Sequence, residues 1–220
     1  MRTLYFLIIL FFFKLTFSLS TNSAEYCELK GHPESKIWSY IICNYDERIQ
    51  YNLAREYFVR EHITENTPPI KIDLYGTGKE YLLDLFMERF IGPPGDVYDI
   101  SSENGTPRVD FMTVGCLQYA CSEKAFMITD AFNRKTLLGI VHQSLNGKNN
   151  DNNEYSLING GGHYLTLFSN DYQKFEDIKP RYVESILEYL SIESEYNSFI
   201  AYDPIIYFVG ENRKLVEVKK

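Results

Sequence analysis

Apolar residues recur along the chain in two rhythms, and the change between them falls near residue 95. Before it the spacing is helical. Ile41 and Ile42 precede Cys43, and Ile49, Leu53 and Tyr57 follow at four-residue intervals, with Arg48, Asn52, Arg55 and Arg60 opposite. Apolar positions that return every three to four residues share one side of a helix. The pattern predicts helix over residues 27–63, with Asp46 as a cap and Asn66-Thr67-Pro68-Pro69 as the stop, because proline lacks the amide that would continue it. Residues 70–74 alternate as a short strand or run as an extended linker. Residues 78–90 read as a further helix carrying Leu82, Leu83, Leu85, Phe86 and Phe90, closed by Gly92-Pro93-Pro94-Gly95.

After residue 95 the runs are shorter and richer in branched and aromatic side chains. Residues 109–114, 125–129, 136–141 and 164–168, each bounded by turn residues, predict strands of an antiparallel sheet. Asn133-Arg134 turns the second run into the third, the polar stretch 147–153 is an exposed loop, and Gly160-Gly161-Gly162 introduces the fourth run. Pro180–Tyr196 is an amphipathic helix with Val183, Ile186, Leu187 and Leu190 inward, and residues 204–218 form a hairpin turning at Glu211-Asn212-Arg213. The fold class that follows is α+β: an antiparallel sheet with flanking helices, preceded by a disulfide-stapled helical segment. The expected division is residues 1–20, 21–68 and 69–220.

The first of these parts has the layout of a secretory signal: Arg2, an apolar run over residues 4–13, Lys14, then polar residues with small side chains at Ser18, Ser20 and Ala24. The run is shorter than the roughly twenty residues a bilayer-spanning helix needs, so cleavage is expected and a permanent membrane anchor is not. Net charge changes the picture next. The chain carries -8, and loss of Arg2 and Lys14 leaves 20 basic against 30 acidic residues. Nucleic acid is excluded as a partner, because a backbone reader needs a basic face, and a basic protein is the natural expectation. A composition 45% hydrophobic and 15% aromatic excludes collagen, low-complexity disorder and a polytopic membrane protein.

Four cysteines follow the signal, an even number in a chain bound for an oxidising compartment. Three connectivities are open; proximity in sequence favours Cys27 with Cys43 and Cys116 with Cys121, worth roughly 3 and roughly 2 kcal/mol by loop closure. Cys116 and Cys121, four residues apart with none of the four histidines nearby, make a poor tetrahedral set for zinc, so no metal and no cofactor are expected. His32, His62, His142 and His163 are scattered, and no serine or cysteine sits in a nucleophile elbow. The triple glycine lacks the lysine and Ser/Thr of a phosphate loop and reads as a turn. Glu184, Glu188, Glu193 and Glu195 read as a solvated helix face. Asn104-Gly105-Thr106 matches a glycosylation sequon. Nothing here assembles a catalytic set, and the expectation is a protein that is not an enzyme.

The strongest local feature is Gly115-Cys116-Leu117-Gln118-Tyr119-Ala120-Cys121, which ends one predicted strand just before the next. A bridge between its cysteines would make Leu117, Gln118, Tyr119 and Ala120 a rigid protrusion, and rigid loops lose little entropy on entering a concave site. The same bridge would equally serve as a staple that fixes strand pairing. The run Val114-Gly115-Cys116, with four residues between Cys116 and Cys121, resembles the signature of the bacterial inhibitors of vertebrate-type lysozyme. These are periplasmic proteins with an antiparallel sheet and flanking helices, whose bridged Cys-Lys-Pro-His-Asp-Cys loop enters the lysozyme cleft. The resemblance implies a periplasmic binding protein for a basic partner such as a lysozyme. It puts Tyr119 where that family has its cleft-blocking histidine. A second resemblance, carried by Trp38, Ile41, Ile42, Cys43 and Asp46 with Leu53 and Tyr57, is to a small helical domain of periplasmic proteins, some of them linked to lysozyme inhibition. The other reading of these residues is an envelope-associated structural protein in which the bridged hairpin only stabilises the fold.

Overall fold

The computed structural model describes residues 57–73, 78–91, 94–100, 110–117, 120–130, 133–143, 163–196 and 203–218. Helix α1 (Tyr57–Asn66) and a small ribbon, β1 (Lys71–Ile72) with β2 (Glu80–Tyr81), lead into helix α2 (Leu82–Phe90). A seven-stranded sheet follows in strict chain order: β3 (Pro94–Asp99), β4 (Asp110–Leu117), β5 (Ala120–Asp130), β6 (Lys135–Gln143), β7 (His163–Phe168), β8 (Ile205–Val209) and β9 (Leu215–Glu217). Helix α3 (Pro180–Tyr196) lies between β7 and β8.

Every neighbouring pair in the large sheet is antiparallel except β7 and β8, which run parallel. The expectation of a wholly antiparallel sheet is therefore corrected. Antiparallel neighbours can be joined by a tight turn, but a parallel pair needs a crossover long enough to return the chain to the end it left, and α3 is that crossover. The molecule is α+β with a mostly antiparallel sheet.

Successive strand residues point to opposite faces, and both faces are covered. Phe111, Ala125, Met127, Leu138, Ile140, Phe168 and Val209 pack under α1 and α2 against Val59, Ile63, Leu82, Leu85, Phe86 and Phe90. Met112, Val114, Phe126, Ile128, Leu137, Val141, Leu165, Leu167, Ile206 and Phe208 pack under α3 against Tyr182, Val183, Ile186 and Leu190. Burial on both sides explains why the central strands read as nearly continuous apolar runs instead of alternating. Val59 and Ile63 place α1 in one core with the sheet.

Three local differences from the sequence reading have physical reasons. The helix expected over 78–90 begins only at Leu82, because Glu80 and Tyr81 pair with Ile72 and Lys71 as β2, and Gly78 sits at φ +139° just before them. The proline-glycine stretch expected to close that helix contains Pro94, the first residue of β3. β3 lies on the sheet edge, where a missing amide costs no ladder bond, and its register shifts between Pro94 and Val97. Among the described residues no helix is long and apolar enough to cross a membrane. The expected signal, the stapled segment with Cys27 and Cys43, the loop at 147–153, the triple glycine, the sequon and His32 lie outside the described residues.

Candidate functional site

The hairpin of β4 and β5 carries the cysteine motif. Its register runs regularly from Asp110 opposite Asp130 to Cys116 opposite Lys124, and then jumps so that Leu117 meets Ala120. Residues 121–123 are thus extra on β5, with nothing opposite them between Cys116 and Leu117 on β4. Such a bulge twists the strand and redirects the tip. Cys116 is buried and disulfide-bonded. Leu117 is half-buried at the end of β4. Gln118 and Tyr119, and the side chains of Ala120 and Cys121, lie outside the described set.

The base of this tip is gripped from both faces. Glu123 and Lys124 are adjacent on β5 and so point to opposite sides. On the α2 side Arg89, 1% exposed, donates from Nε and Nη2 to Glu123 Oε2 at 3.0 and 2.5 Å, and from Nη1 to the Leu85 carbonyl at 2.6 Å. Burial draws the Arg89 guanidinium below its ordinary pKa, opposed by the charge and hydrogen bonds of Glu123. Beside this pair Gly115 meets the last turn of α2, and a Cβ there would lie 2.8 Å from Phe90 Cα and 2.9 Å from the Arg89 carbonyl oxygen. On the α3 side Lys124 Nζ is 3.1 Å from Glu193 Oε2 and 5.5 Å from the centre of the Tyr189 ring. Glu184, Glu188 and Glu195 are exposed as expected of a solvated face, but Glu193 is half-buried and anchors the hairpin.

The opposite end of the same two strands is locked differently. Asp110 and Asp130 face each other across the ladder, both buried. Lys179 Nζ lies 2.5 Å from Asp130 and 3.6 Å from Asp110, and Arg181 pairs with Asp110. Asn133 donates to Asp130 from its backbone at 2.9 Å and from its side chain at 2.8 Å. Burial pushes the Asp130 carboxyl up, but the hydrogen bonds from Lys179 and Asn133 and the Lys179 charge outweigh it, and the carboxyl is held below the usual carboxylate range. Burial, and then the Asp130 charge, push the nearby Tyr172 and Tyr182 hydroxyls up. Two carboxylates matched by two cations form a lock between α3 and the sheet.

The described histidines occupy separate places. His62 Nε2 is 2.6 Å from Thr136 Oγ1, and burial lowers its pKa to about 4. His142 is buried, with Nε2 3.2 Å from Thr166 Oγ1 and its ring stacked on Tyr164. His163 opens β7. Among the described residues no cluster of three or more His, Cys, Asp or Glu side chains is placed to hold a metal ion.

Sequence reasoning located the β4–β5 hairpin, but it expected Leu117 to Ala120 to protrude and the second strand to start near residue 125. In the fold β5 starts at Ala120 and Leu117 pairs with Ala120. The clamps were missed as well. Arg89 and Glu123 are 34 residues apart, and nothing in either segment announces the other. Lys124 was the available signal: a charge beginning an apolar strand run, which a buried strand tolerates only with a partner. Comparison of the chain with family models, with curated proteins and with solved structures finds no match.

Proposed function

We propose that this chain is an exported, periplasmic binding protein of the lysozyme-inhibitor type, which presents the β4–β5 tip to the cleft of a cationic protein partner. The observation that carries the reading is the clamp at the base of the tip, Arg89 with Glu123 on one face and Lys124 with Glu193 on the other. A loop so held has little freedom left to lose on binding. In this reading a Cys116–Cys121 bridge closes the tip, Gln118 and Tyr119 make the contact, Leu117 and Ala120 frame them, and a Cys27–Cys43 bridge staples the preceding helical segment.

Charge supports a basic partner. The chain carries -8 overall. Both α2 and α3 end beside the base of the tip, so the negative ends of their dipoles lie near it, joined by Glu88, 62% exposed, and by exposed Glu195. Such a field accelerates encounter with a cationic surface. The Tyr119 hydroxyl would donate to a carboxylate in the cleft.

The test is lysozyme activity with the oxidised mature protein, across several lysozyme types and with Tyr119→Ala beside it. Inhibition weakened by about 2 kcal/mol or more in the variant, roughly thirtyfold, is expected of an anchor. A folded, bridged protein that inhibits no lysozyme refutes the reading and leaves the hairpin as a stabiliser of an envelope protein.

A further inference from the structure

A groove of about 500 Å³ lies beside β9 on the α3 side of the sheet, and the proposed contact with a cationic protein makes no use of it. One wall is the segment 173–176, which leads into a single 3₁₀ turn (Phe175–Asp177); the other is β8 with β9. Phe175, Phe208, Val216 and Val218 supply the apolar lining, and Phe175 meets Phe208 edge to face with ring centres 6.2 Å apart. Val216 is 52% exposed, an apolar surface that the fold itself leaves uncovered. Both walls are fixed by backbone contacts. The Glu211 amide donates to the Tyr172 carbonyl at 3.1 Å, and a Cβ on Gly210 would lie 2.5 Å from the Gln173 carbonyl oxygen, so only glycine lets the end of β8 come this close. The Asp177 amide donates to the Lys174 carbonyl at 3.1 Å, and the Lys214 amide to Asn212 Oδ1 at 3.0 Å. A groove held in shape this way loses little freedom when a ligand enters.

Charge around the groove runs against that of the chain. Lys174 and Lys214 line it, one from each wall, together with the carboxylate of Glu176. Glu217 borders it too, but stands opposite Tyr207, whose hydroxyl donates to Glu217 Oε2 at 3.4 Å, whereas Val216 stands opposite Phe208. Residues opposite each other across a ladder share a face, and successive residues alternate, so the Glu217 carboxylate is turned to the other side of the sheet. Two ammonium groups against one carboxylate make a cationic spot on a chain of net charge -8.

We propose that this groove binds a small organic monocarboxylate, whose apolar body lies on Phe175, Phe208, Val216 and Val218 and whose carboxylate meets the ammonium groups of Lys174 and Lys214. Sites for small ligands have this size and make-up, mostly apolar with a few charged groups that fix orientation. An apolar body covers the exposed Val216, and aromatic rings in it can meet Phe175 and Phe208 edge to face. A single negative charge matches the surplus of one ammonium, which a cation would increase and a neutral molecule would leave unmatched. The groove borders β9, four strands from β5, so the site is separate from the β4–β5 tip.

Titration of the oxidised mature chain with naphthoate, followed by backbone amide NMR shifts, tests this, with naphthamide and naphthylmethylammonium as the neutral and cationic matches. Naphthoate is expected to move the amides of residues 173–176 and 214–218 and to bind about tenfold more tightly than naphthamide, the worth of two solvated ion contacts. Lys174→Gln and Lys214→Gln each weaken naphthoate about threefold and the double variant about tenfold, while naphthamide binding is unchanged. Both lysines are exposed, so the variants keep the amide spectrum of the fold, which the same experiment reads. Absence of shifts in the two segments at millimolar naphthoate overturns the proposal. So does equal or tighter binding of either match, or a naphthoate affinity that survives the loss of both lysines.

Discussion

Glu123→Ala removes one half of the ion pair that joins α2 to the base of the hairpin. The Arg89 guanidinium it leaves behind is 1% exposed, and among the contacts it keeps are the Leu85 carbonyl at 2.6 Å and the exposed Glu88 carboxylate at 3.6 Å. Removing one partner of a buried pair costs about 3–5 kcal/mol, because the other charge stays desolvated. With the Leu85 contact retained and the Glu123 side chain itself 13% exposed, the loss falls at the lower end, about 3 kcal/mol. At about 2–4 °C per kcal/mol for a chain of this size, the melting temperature drops by about 6–12 °C. The assay is urea unfolding of Glu123→Ala, and of the cycle Glu123→Leu, Arg89→Met and Arg89→Met/Glu123→Leu, read as midpoints at a common slope. The double variant recovers most of the loss, since apolar side chains of similar volume replace a buried pair at little net cost. A loss below about 1 kcal/mol in Glu123→Ala, or a double variant whose loss equals the sum of the singles, would show that the pair does not hold the hairpin.

Gly115→Ala is expected to cost about 2–3 kcal/mol in urea unfolding, because the new methyl group meets helix backbone at 2.8 Å, which cannot rotate away. The His62 imidazole, neutral in the fold down to about pH 4 against an ordinary 6.5, lets the unfolded chain take up a proton that the folded chain refuses. Stability therefore falls as pH drops through that window, by about 3 kcal/mol in all, and a His62→Gln variant measured by urea midpoint against pH lacks this part of the decline. Asp130 acts lower: its carboxyl is held below 3.8, so its contribution is present above that value and is lost as pH falls through its folded value. Asp130→Asn gives up about 2 kcal/mol at neutral pH, and its unfolding midpoint no longer carries that acid dependence.

Much of the architecture was legible in local pattern. The apolar run 136–141 appears as β6 and 164–168 as β7, each extended by a residue or more; α3 starts at Pro180 and ends at Tyr196, and the last hairpin turns where Asn212 and Arg213 stand. At the candidate site, Gly115 and Cys116 mark the end of β4 in the sequence itself, but the early start of β5 at Ala120 was not legible there. β3 was not, since Pro94 and Gly95 look like helix breakers unless the strand is known to lie on an edge.

What the chain determines alone is where apolar surface must be buried and where the backbone must turn, because both depend on residues within a few positions of one another. Only the tertiary structure decided the direction of β8, since a two-residue alternation records which face a side chain takes and is silent about strand polarity. The partners of the buried charges were decided there too. Arg89 is a routine helix residue and Glu123 a routine polar one until α2 is laid across β5; their energy is a property of contact through space, and desolvation gives it its size.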